Sequence, residues 1–335
     1  MEEKKSEEWL KDLPVQTENV GFQPEEMIRC GKCARSSPPT KTNCFYCGAE
    51  LEISEAQSKY VRPNLRKLEA WEKGWNVILQ RVSSVFEAAN IIEIARILKT
   101  EADLLRKIIS FGKPLPVARA ESPKEAEIVR KSLSDFGIES VVVSDETLKS
   151  EINPQRLRGI EFDDGNLILI LFNRDEIVEI AGENLALIVT GAIFERRIEA
   201  TETHSKKGEN KILDATETSS DESLIDIYSR ADANGYRIPA KGFDFSCLES
   251  EKGILAKDNI VKLAAKLRNY APHAEYADDY LQVRECLGTV WEVNQKTESQ
   301  GLKRGGIGKF NLGNLTTVNN LTQFTKYSRL RRNLL

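Results

Sequence analysis

Leu115-Pro116-Val117-Ala118-Arg119-Ala120-Glu121-Ser122-Pro123-Lys124-Glu125-Ala126 opens the stretch that decides the fold class, and Asp135-Phe136-Gly137-Ile138-Glu139-Ser140-Val141-Val142-Val143 closes it. Both ends carry the apolar, β-branched composition of strands, while Ala126, Val129, Leu133 and Phe136 recur between them at helical spacing. Ser122-Pro123-Lys124-Glu125 forms a capping box with proline at the first helical position, and Gly137 stops the helix. The spacing therefore predicts a strand over 115–120, a helix, and a strand over 138–143. The loop before the helix, Arg119-Ala120-Glu121-Ser122, has no glycine and includes an acid, so it lacks the dinucleotide-binding fingerprint.

Upstream, Ile91, Ile94, Ala95 and Leu98 mark one short helix, and Thr100-Glu101-Ala102-Asp103 starts a second that carries Leu104, Leu105, Ile108 and Ile109. Together these make a small α/β unit over 85–150. With its Ser-Pro-Lys-Glu-Ala-Glu helix start and Asp-Phe-Gly-Ile-Glu-Ser-Val-Val-Val ending, the 115–143 stretch resembles the ferredoxin-like module described as a prokaryotic signal-transducing domain. That resemblance implies a fold and a regulatory setting, with no site residues to transfer. Residues 53–84, with Arg62-Pro63 and with Trp71 and Trp75 four apart, read as a linker bearing docking aromatics on a helical turn.

Downstream the period becomes that of strands. Ile160-Glu161-Phe162, the turn Asp163-Asp164-Gly165-Asn166 and a strand over 167–172 predict a hairpin, and 185–189, 192–201, 224–229, 236–238 and 243–248 supply further strands. A helix at 257–270 follows, its face made by Ile260, Leu263, Ala264, Leu267 and Tyr270, and Tyr276, Tyr280, Val283, Leu287 and Val290 predict another ending near Trp291. This element order over 151–295, an antiparallel β domain closed by C-terminal helices, resembles pleckstrin-homology-like barrels. Members that bind phosphoinositides use a basic first hairpin loop, whereas Asp163 and Asp164 would repel phosphate.

Six cysteines divide unequally. Cys30-Gly31-Lys32-Cys33 and Cys44-Phe45-Tyr46-Cys47 are two Cys-x-x-Cys pairs, while Cys247 and Cys286 stand alone. Each pair aims two thiolates at one point about 2.3 Å from each sulfur, and two pairs complete the tetrahedron that suits structural zinc. Gly31 and Gly48 are the residues expected to let main-chain N–H groups approach the sulfurs. The segment Met27 to Leu51, ending Cys-Phe-Tyr-Cys-Gly-Ala-Glu-Leu, resembles the zinc ribbons at the N-terminus of many bacterial proteins, which implies a ribbon domain over 26–52. Ribbons of that kind bind nucleic acid or other proteins. Between the knuckles only Arg35 and Lys41 are basic, and Glu50-Leu51-Glu52 is acidic, which favours a protein partner.

The full length of 335 residues suits two or three domains, and 48 basic against 52 acidic side chains leave a net charge of −4, so no global attraction to nucleic acid or membrane follows. The acid-rich stretch 1–25 predicts a disordered tail, and 296–335 reads as a basic Gly- and Asn-rich tail, with seven Lys or Arg and no acid from 299 onward. Leu321, Phe324 and Leu330 interrupt the basic residues so as to dock that tail on the β domain, leaving Arg329, Arg331 and Arg332 near the surface. With no long apolar run and no apolar stretch in the first nine residues, neither a transmembrane helix nor a signal peptide is expected, which places the chain in the cytoplasm.

Nothing else gathers into catalytic chemistry. His204 lies in a charged loop and His273 follows Pro272, Cys247 reads as a small packed hydrophobe in a strand-like run, Cys286 lies in a helix, and phosphate-loop, Gly-x-Ser-x-Gly and His-Glu-x-x-His patterns are missing. Thr216-Glu217-Thr218-Ser219-Ser220-Asp221-Glu222 lacks the spaced oxygens and glycine turn of a calcium loop. The order of ribbon, Arg62-to-Glu69 linker, α/β unit, β domain and Thr325-Lys326-Tyr327-Ser328-Arg329-Leu330 ending also resembles a group of uncharacterised bacterial zinc-ribbon proteins. The expectation is an α+β multi-domain protein acting as a non-catalytic adaptor or regulator. A nucleic-acid-associated protein using the ribbon and basic tail is the alternative, and an enzyme with a dispersed site the third.

Overall fold

A computed structural model describes residues 21–335 apart from 55, 56, 58, 59, 62, 64, 70, 84, 174, 175, 204–211, 233, 307 and 308. The acidic stretch up to residue 20 and His204 thus lie outside the described residues. The fold is mixed α+β, mostly strands, and the chain divides into two units, Met1–Asn64 and Leu65–Leu335.

In the first unit β1 (Ile28–Arg29) pairs antiparallel with β2 (Ser36–Ser37), and an isolated bridge joins Asn43 to Glu50. Its buried core is minimal: Ile28 and Leu51 beside the sulfurs of Cys30 and Cys44.

The second unit begins with β3 (Trp75–Val82), followed by α1 (Ile91–Leu98), α2 (Ala102–Ser110), β4 (Leu115–Ala120), α3 (Pro123–Asp135), β5 (Ile138–Ser144) and the single turn α4 (Asp145–Leu148). The strand–helix–strand reading of 115–143 agrees with this structure: Ser122 accepts the Glu125 N–H at 3.2 Å, and Gly137 turns the chain at φ +77°. The stretch 53–84 is corrected. Its last part is β3, the central strand of a three-stranded sheet, antiparallel to β4 on one side and β5 on the other. Asn76, Val77, Ile78 and Leu79 are all buried, so the strand is covered on both faces and shows no period-two alternation to betray it. Trp75 starts this strand and Trp71 is 78% exposed, so the two tryptophans share no helical face.

The remaining strands form one curled nine-stranded sheet. They are β6 (Gln155–Asp163), β7 (Asn166–Leu171), β8 (Ile177–Ala181), β9 (Leu185–Thr203), β10 (Ile212–Ser229), β11 (Tyr236–Pro239), β12 (Glu275–Ala277), β13 (Asn294–Gly306) and β14 (Lys309–Asn319). The order is β13-β14-β9-β10-β11-β6-β7-β8, with β12 also pairing β9. The β6–β7 hairpin turns on Asp164 and Gly165, the latter at φ +90°, as its sequence requires. Helix α5 (Ala256–Tyr270) packs Ile260, Leu263, Ala264 and Leu267 into the concave core with Leu157, Leu169, Leu185 and Ile225.

Several expected elements differ. The segment 243–248 is not a strand: Phe245–Glu251 forms a 3-10 turn because the Asp244 carboxylate accepts the Ser246 N–H at 3.0 Å. Tyr276 belongs to β12, and the helix after it, α6 (Tyr280–Leu287), is shorter than expected. The two strands expected over 185–201 are one, running through Gly191, where a Cβ would overlap the Phe324 ring.

The largest correction concerns 296–335. It is no tail but the sheet strands β13 and β14 and a buried helix, α7 (Leu321–Asn333). Phe324, Tyr327 and Leu330 are fully covered in a core shared by the three-stranded sheet and β9, β10 and α6. Arg329, expected near the surface, is buried, and its guanidinium donates to the Ile152 carbonyl at 3.1 Å. A polar network seats the helix: Asn320 donates to the Tyr280 hydroxyl at 2.8 Å, that hydroxyl to Gln323 at 3.0 Å, and Gln323 to the Trp291 carbonyl at 3.0 Å.

Candidate metal centre

The four cysteines singled out by spacing converge. One sulfur from each of Cys30, Cys33, Cys44 and Cys47 lies within 4.8 Å of every other, and the Cys30–Cys47 and Cys33–Cys44 pairs stand 3.6 Å apart. A tetrahedron with metal–sulfur bonds of about 2.3 Å has edges of about 3.8 Å, so the donor set fits one cation with little adjustment.

The two knuckles are built alike. Cys30 and Cys44 receive hydrogen bonds from the N–H groups two and three residues on, Lys32 and Cys33 in the first and Tyr46 and Cys47 in the second. Each loop is closed by matching backbone bonds, Ala34 N–H to the Cys30 carbonyl and Gly48 N–H to the Cys44 carbonyl, both 2.9 Å. The left-handed residue falls just after the second cysteine of each pair: Ala34 at φ +57° and Gly48 at φ +69°. Gly48 thus has the role expected of it, whereas Gly31 does not; the first knuckle uses an alanine, with the steric cost a Cβ brings there.

Ser37 is the site residue that spacing could not find. Buried at the end of β2, it donates to the Cys44 sulfur at 3.4 Å and accepts the Phe45 N–H at 3.3 Å. This hydroxyl, with the Cys47 and Tyr46 N–H groups, outweighs burial and holds the Cys44 thiol down at about 6. The Ala49 N–H favours a Cys47 thiolate, but burial and the three neighbouring sulfurs push that thiol up to about 12. Crowded thiolates repel, and a divalent cation among them relieves the repulsion.

Phe45 and Tyr46 point outward from the second knuckle, 71% and 53% exposed, in an edge-to-face pair with centroids 5.5 Å apart. The Arg35 guanidinium lies 5.0 Å from the centre of the Tyr46 ring.

The remaining cysteines, Cys247 and Cys286, belong to the Leu65–Leu335 unit. Burial raises both the Cys247 and the Cys286 thiol, the environment of packed rather than reactive sulfur.

In the Leu65–Leu335 unit a charge cluster surrounds Asp145, in a cleft of about 420 Å³. Its carboxylate accepts from Gly74 N–H (2.9 Å), Asn76 (3.0 Å), Arg119 (2.5 Å) and Lys326 (2.9 Å). Burial opposes ionisation, yet Lys326, Asn76 and Arg119 hold the carboxyl below its ordinary range. Every oxygen is answered from within the chain, so the cluster is a latch between the three-stranded sheet and α7.

The chain matches no family model, no curated protein and no solved structure. Among the described residues, no helix is long and apolar enough to cross a membrane.

Proposed function

We propose that the chain is a non-catalytic, cytoplasmic adaptor whose first unit is a zinc ribbon, ordered by one structural Zn²⁺ on Cys30, Cys33, Cys44 and Cys47, and that this ribbon docks on another protein. The observation that carries the reading is the pairing of a converged S₄ donor set with two outward aromatics on the same knuckle. A zinc held by four thiolates has no open position for substrate, so its work is to fix the loops that present Phe45 and Tyr46. Large exposed aromatics are costly in water and are the residue types that anchor protein interfaces. On this reading the three-stranded sheet with its helices is a ferredoxin-like module and the curled sheet with α5 a pleckstrin-homology-like barrel. Both serve as scaffold, and the acidic β6–β7 turn argues against phosphoinositides as ligand.

The test is a pull-down from bacterial lysate with three baits: the zinc-loaded chain, the chelated chain, and Phe45→Ala/Tyr46→Ala. A partner retained by the first and lost from the other two is expected. The same proteins on all three baits would remove the ribbon from partner binding.

One observation favours a second reading. Arg35 against Tyr46, with Phe45 alongside, is a small stacking platform of the kind that takes single-stranded nucleic acid. The C-terminal basic residues lend it less than expected, since Lys326 and Arg329 are buried. A salt-dependent mobility shift on single-stranded DNA or RNA, lost in the same double variant, would favour it over the protein partner.

A further inference from the structure

Most of the bonds that shape the two knuckles are local. Cys30 takes the Lys32 and Cys33 N–H groups and Cys44 those of Tyr46 and Cys47, so each loop braces its own first sulfur. Ser37 differs. Its hydroxyl belongs to β2, in the hairpin of the first knuckle, and it reaches across to the second. There it donates to the Cys44 sulfur at 3.4 Å and accepts the Phe45 N–H at 3.3 Å.

Strand geometry decides where this hydroxyl points. Ser36 pairs with Arg29 and Ser37 with Ile28 in the β1–β2 ladder, and successive strand residues face opposite sides. Ser36 is accordingly exposed, while Ser37 turns inward and is 1% exposed. Pro38 follows it and confines Ser37 to extended backbone.

An inward hydroxyl needs an acceptor. A protonated thiol is a weak one, so an O–H buried against it recovers little of the hydration it gave up. A thiolate held by a cation carries charge and accepts strongly. The position of Ser37 therefore suits a metal-bound centre better than four free thiols. In that state the bond draws charge away from the Cys44 sulfur, and the same oxygen anchors the amide of Phe45, the first of the two outward rings.

We propose that Ser37 is a positioning residue of the metal centre: its hydroxyl ties the metal-bound Cys44 thiolate to the Phe45 backbone, so that occupation of the four sulfurs sets the aromatic knuckle in place. This role rests on the zinc reading above and names the contact through which the metal acts on the docking face.

The test compares the full chain with Ser37→Ala and with Ser36→Ala, a change at the exposed neighbour on the same strand. Zn²⁺ affinity is measured by competition with a chromophoric chelator, Co²⁺ in place of Zn²⁺ reports the sulfur donors by absorption, and amide hydrogen exchange is read at Phe45 in the metal-loaded chain. Ser37→Ala should weaken Zn²⁺ binding about 10- to 100-fold, the usual effect of removing a hydrogen-bond partner from a metal ligand. It should also move the sulfur-to-cobalt charge-transfer band to longer wavelength, because Cys44 becomes a more electron-rich donor, and speed exchange at Phe45. Ser36→Ala should leave all three unchanged. Loss of packing alone would weaken binding without moving the band. An unmoved band or an unchanged exchange rate at Phe45 in Ser37→Ala overturns the proposal whatever the affinity, and so does an equal response in Ser36→Ala. Those results leave tetrathiolate binding by the wild-type chain intact. A wild-type chain that gives no sulfur-to-cobalt band removes the zinc reading itself, and the role of Ser37 with it.

Discussion

In the Cys30–Cys47 segment the buried core consists of Ile28, Leu51 and the sulfurs themselves, whereas the Leu65–Leu335 unit buries Phe324, Tyr327, Tyr280, Trp291 and several dozen aliphatic side chains around a folded sheet. The first region cannot repay its ordering entropy by apolar burial, and four crowded thiols oppose its closure further. The second has that burial in excess and uses it to tolerate internal charge, with Asp145, Lys326, Asp226 and Arg237 all buried. On the proposed reading, one region is held by a ligand it must acquire, the other by groups it already has. Substitutions and conditions that separate the two kinds of cohesion are the informative ones.

Metal removal should give the largest separation. A chelator strong enough to strip zinc is expected to unfold the first unit completely, with loss of amide dispersion for residues around 28–53, while the melting transition of the Leu65–Leu335 unit stays in place. Elemental analysis should return one zinc per chain before treatment. A chelated chain whose first-unit resonances stay dispersed would show that this region is held by something other than its thiolates.

Asp145→Ala should come next, acting on the second unit alone. It leaves Arg119 and Lys326, with side chains 7% and 8% exposed, facing each other without their shared counter-ion. Breaking a buried pair from one side costs about 3–5 kcal/mol, read here as a lower urea midpoint. The pH dependence has a definite sign. Because the folded carboxyl lies below its unfolded value, its contribution is full above the ordinary carboxylate range and is lost as pH falls through that range toward the folded value. Asp145→Asn should flatten that limb of the stability curve. An unchanged acid limb would mean that other carboxylates govern it.

Phe324→Ala tests apolar cohesion in the same unit. The ring fills the space above Gly191 and stacks edge-to-face on Tyr280 with centroids 4.9 Å apart, so truncation leaves a cavity that the rigid strand cannot close. A loss of about 3–4 kcal/mol is expected, with zinc content unaltered. Destabilisation below about 1 kcal/mol would show that α7 is not packed as described.

These contrasts bear on how much the residues alone disclose. The four-cysteine cluster was legible because thiolate chemistry acts through short fixed spacing, and Cys30, Cys33, Cys44 and Cys47 sit in that spacing whatever surrounds them. The 115–143 unit was legible for a similar reason, since Ser122, Pro123 and Gly137 act on their immediate neighbours. What could not be read depends on distant partners. β3 looks like linker because both its faces are covered by elements far along the chain, and α7 looks like a basic tail because its Lys326 and Arg329 find partners at Asp145 and Ile152. Ser37 is invisible for the same reason: a serine says nothing until a sulfur seven residues away is brought to it.

The smallest effect on stability should come from the residues most exposed in the first unit, and that is why it is useful. Phe45 and Tyr46 lie between Cys44 and Cys47, yet neither belongs to the core of Ile28, Leu51 and sulfur, and the hydrogen bonds that shape their loop come from main-chain groups and the Ser37 hydroxyl. Replacing both with alanine leaves the Phe45 N–H bond to Ser37 and the Tyr46 N–H bond to Cys44 intact. The fold and zinc affinity of the first unit should therefore hold to within about 0.5 kcal/mol. If these rings anchor a partner, the same double variant should abolish capture, since truncating an interface anchor costs about 2 kcal/mol or more. A ribbon that loses its zinc on this substitution would place the aromatics inside the small core after all, and would make the first unit less dependent on its metal than its four sulfurs imply.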